Sequence, residues 1–150
     1  MSETATQLTP PFMEKFHGKL IGILRWHQLD ELWQTILSGS TDDWYIYPIG
    51  EAPPQNLCPS DKLPHFIEEL DKLLKHDHDH DYCGIVYTDS KTLPTFIKIY
   101  DPNNLGQVCG SSKLPPPLPG WILSKAVPVD LQAEIAPANN RKRWWQQIFS

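Results

Sequence analysis

The sequence has little cysteine, no long hydrophobic run and no excess of basic charge. Its 150 residues include three cysteines, an odd number without C-x-x-C spacing, which argues against the disulfide framework of a small secreted protein. No apolar run approaches the ~18–20 residues that a membrane-spanning helix needs. Acidic residues outnumber basic ones by 18 to 13, which argues against a generally basic nucleic-acid binder. We therefore expect a cytoplasmic protein.

Proline, in contrast, is abundant and divides the chain. There are 15 prolines in 150 residues, about twice the usual share. Proline resists helix interiors and central strands, so regular structure is expected mainly in the two proline-free windows, 12–47 and 65–93. The pattern predicts a disordered N-terminus over 1–11, a single domain over 12–130, and a linker with a basic aromatic tail over 131–150.

Apolar residues at helical spacing predict two helices. One spans about residues 28–38 and ends before Gly39, and the other begins near Leu63 with Pro64 in its first turn. Upstream of the first helix, residues 16–27 also show helical spacing. They predict either a kinked pair of helices or one helix buried on two sides, with a strand over 19–26 as the alternative.

Aromatic and β-branched residues predict the strands. The segments are 44–47, 82–88, 96–100 and 121–127, with a shorter candidate at 108–112. The connection 89–94 has hairpin length. Predicted helices in the first half of the sequence and a predicted hairpin in the second half indicate an α+β fold. We expect a small, largely antiparallel sheet of three to four strands, two or three helices packed on one face, and long Pro-rich connections.

A run of alternating histidine and aspartate follows the second helix and carries a metal-binding hypothesis. Imidazole, carboxylate and thiolate are good ligands for zinc or nickel, so the candidate ligands are His76, His78, His80 and Cys83, with the intervening aspartates. A solvated connector and a pH-responsive loop are the alternatives. The spacing lacks the separated ligand pairs of a closed metal site, and no other cofactor is indicated.

The C-terminal residues differ in composition from the rest of the chain. Residues 138–150 carry three basic side chains and no acidic one, whereas the remaining residues hold 10 basic and 18 acidic side chains, a net charge of −8. If helical, the tail would align its aromatic and aliphatic residues in one stripe. It is predicted to bind a partner protein, to fold back on the domain, or to touch a membrane surface weakly. Its candidate binding residues are Arg141, Lys142, Arg143, Trp144, Trp145, Ile148 and Phe149.

Two further segments have a structural and a functional interpretation. Small residues after Cys109 could cradle an anion, and its thiol could act as a nucleophile, but a tight turn explains the same residues. The segment 114–119 is predicted to be polyproline II, which serves either as a stiff connector or as a ligand for a partner's aromatic groove.

The sequence favours binding over catalysis. It contains no nucleophile elbow, dinucleotide fingerprint, phosphate loop or HExxH motif, so an enzyme is not the favoured interpretation. The leading hypothesis is a non-catalytic interaction protein, an adaptor or accessory protein that binds another protein partly through its C-terminal tail. Metal binding or handling by the His–Asp run is the alternative, and nucleic acid is not an expected partner.

Overall fold

Three helices and a five-stranded antiparallel sheet make up the part of the chain that the computed structural model describes, residues 10–103, 118–131 and 148. This confirms the mixed α+β class, but the sheet has five strands and not three to four. The elements are α1 (Pro11–Phe16), β1 (Ile21–Ile23), α2 (Trp26–Ser38), β2 (Tyr45–Pro48), α3 (Leu63–Asp77), β3 (Val86–Thr88), β4 (Phe96–Ile99) and β5 (Trp121–Ser124).

The strands lie in the order β1-β3-β4-β5-β2, so the two strands that come first along the chain form the two edges of the sheet. The predicted hairpin is confirmed as β3 and β4, with Val86 opposite Ile99. In β4 and β5, Ile97 lies opposite Leu123. Pro48 is the last residue of edge strand β2, where its missing N–H costs no central ladder hydrogen bond.

The extra strand is β1, which lies where the apolar spacing of residues 16–27 favoured helix. The helical interpretation is wrong at Ile21–Ile23, and the strand alternative is confirmed there. Gly22 lies opposite Tyr87 of β3. A Cβ atom on Gly22 would lie 3.2 Å from the Tyr87 ring, so the ring packs directly against the glycine backbone. Pairing with a distant strand therefore overrides the local helical periodicity.

The helices cover both faces of the sheet, and the prediction that they pack on one face is wrong for α1. Because side chains alternate along a strand, Ile97, Ile99 and Leu123 face one side. There they share a buried cluster with the apolar stripes of α2 and α3. On the opposite face, Phe12 of α1 packs against Tyr47 and Phe96.

The two ends of the sheet carry different loops. At one end, β2 and β4 begin, β3 and β5 end, and the C-terminus of α2 lies beside them. At the other end, the N-terminus of α2 meets the chain that follows α3, where the Cys83 N–H donates to the Leu24 carbonyl (2.8 Å). Gly84 adopts a left-handed backbone (φ +71°), a conformation that favours glycine, as the chain turns into β3.

Candidate functional site

A cleft of about 390 Å³ opens at the end of the sheet beside the C-terminus of α2. One wall is the last turn of α2 with the residues after it, and the other is the loop between β3 and β4. Trp44, immediately before β2, and Lys125, immediately after β5, complete it. The lining residues are Thr35, Ile36, Ser38, Gly39, Ser40, Trp44, Thr92, Leu93, Pro94, Thr95 and Lys125.

The α2 wall presents the carbonyl end of a helix. The Ser38 hydroxyl donates to the Thr35 carbonyl (3.2 Å), and the Gly39 N–H donates to the Ile36 carbonyl (3.3 Å). The last turn contains no basic side chain. The partial negative charge of the helix C-terminus therefore has no cation within its own turn, and this wall favours hydrogen-bond donors.

The hairpin wall is braced by Asp89. One oxygen of Asp89 accepts from the backbone N–H groups of Thr95 (2.9 Å) and Phe96 (3.1 Å), and the other accepts from the Thr95 hydroxyl and the Lys15 ammonium. Burial raises the pKa of Asp89, but these hydrogen bonds outweigh it and leave the pKa below its ordinary value. The braced loop carries Leu93, whose side chain is 79% exposed at the cleft.

Trp44 carries a buried hydrogen-bond donor. The residue is 1% exposed, and its Nε1 has no hydrogen-bond partner among the described residues. The Lys125 ammonium lies 5.1 Å from the centre of the Trp44 ring and 3.6 Å from Asp43 Oδ2. Asp43 Oδ1 is likewise buried without a partner in the described chain. One buried donor and one buried acceptor therefore stand unpaired on adjacent residues.

The His–Asp run lies at the opposite end of α2 and forms a small aromatic cluster. His78 is 7% exposed, and its Nε2–H donates to the Cys83 carbonyl (2.8 Å). The His78 ring meets the His80 ring edge-on at 4.6 Å, and His80 stacks on Tyr82. The Trp26 indole N–H donates to the His80 carbonyl (2.9 Å). These contacts give the loop a defined structure that joins α2 to α3.

The structure does not bring the predicted metal ligands together as a group of three. His76 Nδ1 lies 2.7 Å from Asp77 Oδ1, His78 Nε2 is occupied by the Cys83 carbonyl, and burial raises the pKa of the Cys83 thiol, which disfavours the thiolate. Zinc or nickel binding by His76, His78, His80 and Cys83 therefore stays a prediction from the sequence.

Within the described ranges, three ligand-type side chains converge only on α3, at His65, Glu68 and Glu69, all within 4.8 Å of one another. The i, i+3, i+4 spacing places these side chains together on one helix surface, a pattern that is visible in the sequence but was not predicted from it. His65 and Glu68 are exposed. Lys72 already lies 3.8 Å from Glu68 Oε2 and 3.5 Å from Glu69 Oε2, which satisfies this group with a protein cation.

The buried histidine predicts a pH-dependent stability. Burial lowers the pKa of His78, its hydrogen bond to Cys83 opposes this, and His80 lowers it again, with a net decrease. The unfolded chain therefore takes up a proton first, so stability is complete above about pH 6.5 and falls as the pH drops toward the lower pKa of the folded state. The unfolding free energy should thus decrease between about pH 7 and about pH 5.

Chemical denaturation across this pH range checks the prediction with two matched variants. His78→Gln keeps an amide donor near the Cys83 carbonyl but cannot titrate, so its stability should depend less on pH than that of the natural protein. His65→Gln, which removes an exposed histidine near the start of α3, is the control for the loss of a histidine as such. Identical pH profiles for the natural protein and His78→Gln would contradict the assignment.

The predicted C-terminal site lies mostly outside the described residues. This applies to Arg141, Lys142, Arg143, Trp144, Trp145 and Phe149, and also to Cys109 and to the first four residues of the segment 114–119. Ile148 is described. It is 6% exposed and belongs to the buried cluster formed by α2, α3 and the sheet. At Ile148, the placement matches the fold-back alternative.

The cleft itself was missed by sequence reasoning. It is assembled from residues 35–40, from Trp44, from 92–95 and from Lys125, and each segment alone resembles an ordinary helix end, strand end or turn. No local sequence pattern predicts such a site, because it forms only when segments that are far apart in the sequence lie close together in space.

Comparison with protein-family models, curated proteins and solved structures finds no match to this chain. None of the helices in the described ranges is long and apolar enough to cross a membrane. The functional argument therefore depends on the geometry of the cleft.

Proposed function

We propose that this protein is a non-catalytic interaction protein, an adaptor or accessory protein that binds a segment of another protein in the cleft beside Trp44. The observation that carries the proposal is a cleft lined both by Trp44, whose buried indole N–H has no partner among the described residues, and by a leucine that is 79% exposed. A bound chain would cover the leucine and supply the missing acceptor.

The dimensions and lining of the cleft fit binding. A volume of about 390 Å³ lies within the range of ligand sites, roughly 300–1,000 Å³. Its lining combines apolar surface from Ile36, Leu93 and Pro94 with hydroxyl groups and the Lys125 side chain. Apolar surface with a few placed polar groups is the usual composition of a recognition site.

The basic aromatic tail is the second candidate docking segment. Three cations at Arg141, Lys142 and Arg143 precede Trp144 and Trp145 in a chain whose other residues are acidic overall. Because Ile148 belongs to the core cluster, a truncation before the tail would remove a core residue together with the cations. Charge reversal at the three basic positions separates the two effects.

Affinity purification with surface variants tests the role of the cleft. Leu93→Asp should lose the partner that the natural protein recovers, because the substitution places a charge on the apolar rim while the exposed position keeps the fold intact. Leu24→Asp is the matched control: Leu24 is also an exposed leucine, 62%, but it lies beyond the N-terminus of α2, at the opposite end of that helix. Quantitative mass spectrometry compares recovery by the three proteins.

Each outcome has a defined meaning. A protein retained by Leu24→Asp and lost by Leu93→Asp supports the cleft. Equal recovery by Leu93→Asp and the natural protein contradicts it. In the same experiment, reversing Arg141, Lys142 and Arg143 to glutamate tests the tail, and unchanged recovery would contradict a role for these cations.

A further inference from the structure

We infer that Lys98 is an acylation site, whose side-chain amine takes an acyl group from an activated donor, a thioester or an acyl phosphate. Lys98 lies on β4, the central strand of the sheet, and does not belong to the lining of the cleft. The inference therefore goes beyond the proposed function. Two features of the structure carry it, namely an apolar setting and the lack of a carboxylate partner.

The Lys98 side chain lies in an apolar setting on the face of the sheet that α1 covers. Because side chains alternate along a strand, Lys98 shares this face with Phe96, which packs against Phe12. Ile122 lies opposite Lys98 on β5 and is fully buried. The Lys98 ammonium lies 4.0 Å from the centre of the Phe16 ring. Lys98 is half-buried, so apolar neighbours shield its stem while the residue still reaches solvent.

Lys98 also lacks the counter-charge that other lysines of the fold possess. A carboxylate oxygen lies within 3.6 Å of the ammonium in Lys15, Lys72, Lys75 and Lys125. In the described part of the chain, no carboxylate forms an ion pair or a hydrogen bond with Lys98. Asp89 lies further along the same face, but its oxygens already accept four hydrogen bonds.

Both features favour the neutral amine, which is the nucleophilic form of a lysine. Burial disfavours a charge that has no partner, and it lowers the pKa of Lys98. The residue opposite Lys98 on β3 is Tyr87, a phenol whose hydroxyl donates to the Gly84 carbonyl (3.4 Å), so β3 offers no carboxylate either. The Phe16 ring attracts a cation but carries no net charge that would hold it.

The acylation step balances without a further reactant. The free amine attacks the carbonyl carbon of the donor, and the bond from that carbon to sulfur or to the phosphate oxygen breaks. The thiolate or phosphate leaves, the nitrogen releases one proton to water, and an amide remains. Because the amide is uncharged, it suits the apolar setting beside Phe16, whereas acylation of a paired lysine would break an ion pair.

Competitive labelling of the full chain tests the inference. S-acetyl-N-acetylcysteamine, a small thioester, and acetyl phosphate are each applied to trace extent, and mass spectrometry measures the acetylation of Lys98 relative to Lys91. Lys91 is an exposed lysine in the loop between β3 and β4. The same ratio in the urea-unfolded chain corrects for the local sequence. Folding should raise the ratio roughly threefold or more, because only the folded chain creates the apolar setting.

The two donors distinguish the source of the acyl group. A raised ratio with the thioester alone, or with acetyl phosphate alone, supports the site and identifies its donor. If neither donor gives a higher ratio in the folded protein than in the unfolded chain, the inference is overturned.

Tyr87→Glu and Tyr87→Gln test the role of the missing carboxylate. Residues directly opposite on paired strands are close enough for their side chains to interact, so Tyr87→Glu supplies Lys98 with a partner and should lower its acetylation roughly tenfold. Tyr87→Gln is the matched control, with the same size and no charge. Equal acetylation of Lys98 in the two folded variants would overturn the inference.

The pH dependence of labelling provides a measurement that requires no variant. Trace acetylation of the natural protein with acetic anhydride follows the fraction of free amine at each lysine. The rate at Lys98 should level off below the ordinary lysine pKa of 10.5. A rate that continues to rise through that value would show that Lys98 is an ordinary lysine and would reject the site.

Discussion

Replacing Phe12 by alanine is expected to lower the free energy of unfolding by about 3–5 kcal/mol, the usual cost of truncating a buried phenylalanine. The Phe12 side chain is 0% exposed. Its ring centre lies 5.4 Å from that of Phe96 and 6.2 Å from that of Tyr47. The substitution would open a cavity between α1 and the sheet and remove both aromatic contacts.

The size of the effect follows from the length of α1. A helix of six residues is too short to be stable alone in water, so α1 depends on its contact with the sheet. Phe12 is the buried residue of this helix, and losing its side chain should release α1 as a unit. The sheet face beneath it, including Phe96 and Ile122, would then become exposed to water.

Urea denaturation of Phe12→Ala, with Met13→Ala as the matched control, measures this effect. Met13 belongs to the same helix but is only partly buried, so its truncation should cost about 1 kcal/mol. If the two variants are equally stable, α1 does not cover this face of the sheet as the structure describes.

Replacing Asp89 by alanine is expected to lower the free energy of unfolding by about 3 kcal/mol, since hydrogen bonds to a charged group are worth more than neutral ones and their loss leaves donors unpaired. The side chain is 10% exposed. It accepts from the N–H groups of Thr95 and Phe96, which would lose their partner at the start of β4. The hairpin wall of the cleft should loosen.

Lys15→Met is the control for the ion-pair part of this effect. The Lys15 ammonium lies 3.0 Å from Asp89 Oδ2, but the lysine side chain is 47% exposed, and pairs of this kind are worth about 0–1 kcal/mol. A loss as large as that of Asp89→Ala would show that the ion pair, and not the backbone hydrogen bonds, dominates.

The same carboxylate should contribute to acid sensitivity. Because the pKa of Asp89 in the folded protein is below its ordinary value, its stabilising effect is present above the unfolded-state pKa of about 3.9 and is lost as the pH falls through the lower folded-state pKa. The difference in stability between the natural protein and Asp89→Ala should therefore shrink below about pH 4, a window separate from that of His78.

The sequence alone determined the elements whose signals are local. The apolar stripes of α2 and α3 repeat at helical spacing, and each is continuous in the chain, so both helices were predictable. The strand at Tyr45–Pro48 and the hairpin of β3 and β4 were predictable because aromatic and β-branched residues mark them. These elements are sufficient to assign the α+β class.

Only the tertiary structure decided the features that join distant residues. Ile21–Ile23 forms a strand that pairs with β3, where Tyr87 packs on Gly22. The helix α1 lies on the second face of the sheet, where Phe12 packs against Phe96. Neither contact has a local signal. The apolar spacing that favoured helix at residues 16–27 was real, but pairing energy from β3 outweighed it.

The candidate site belongs to the same category. The sequence drew attention to histidines 76–80 and to the basic tail because their composition is unusual, whereas the cleft is built from ordinary residues. Trp44 matters because its buried N–H lacks a partner in the described part of the chain, and Leu93 matters because the loop held by Asp89 leaves it exposed. Composition is a property of neighbours in the chain, but burial and hydrogen bonding are properties of neighbours in space, which only the folded chain defines.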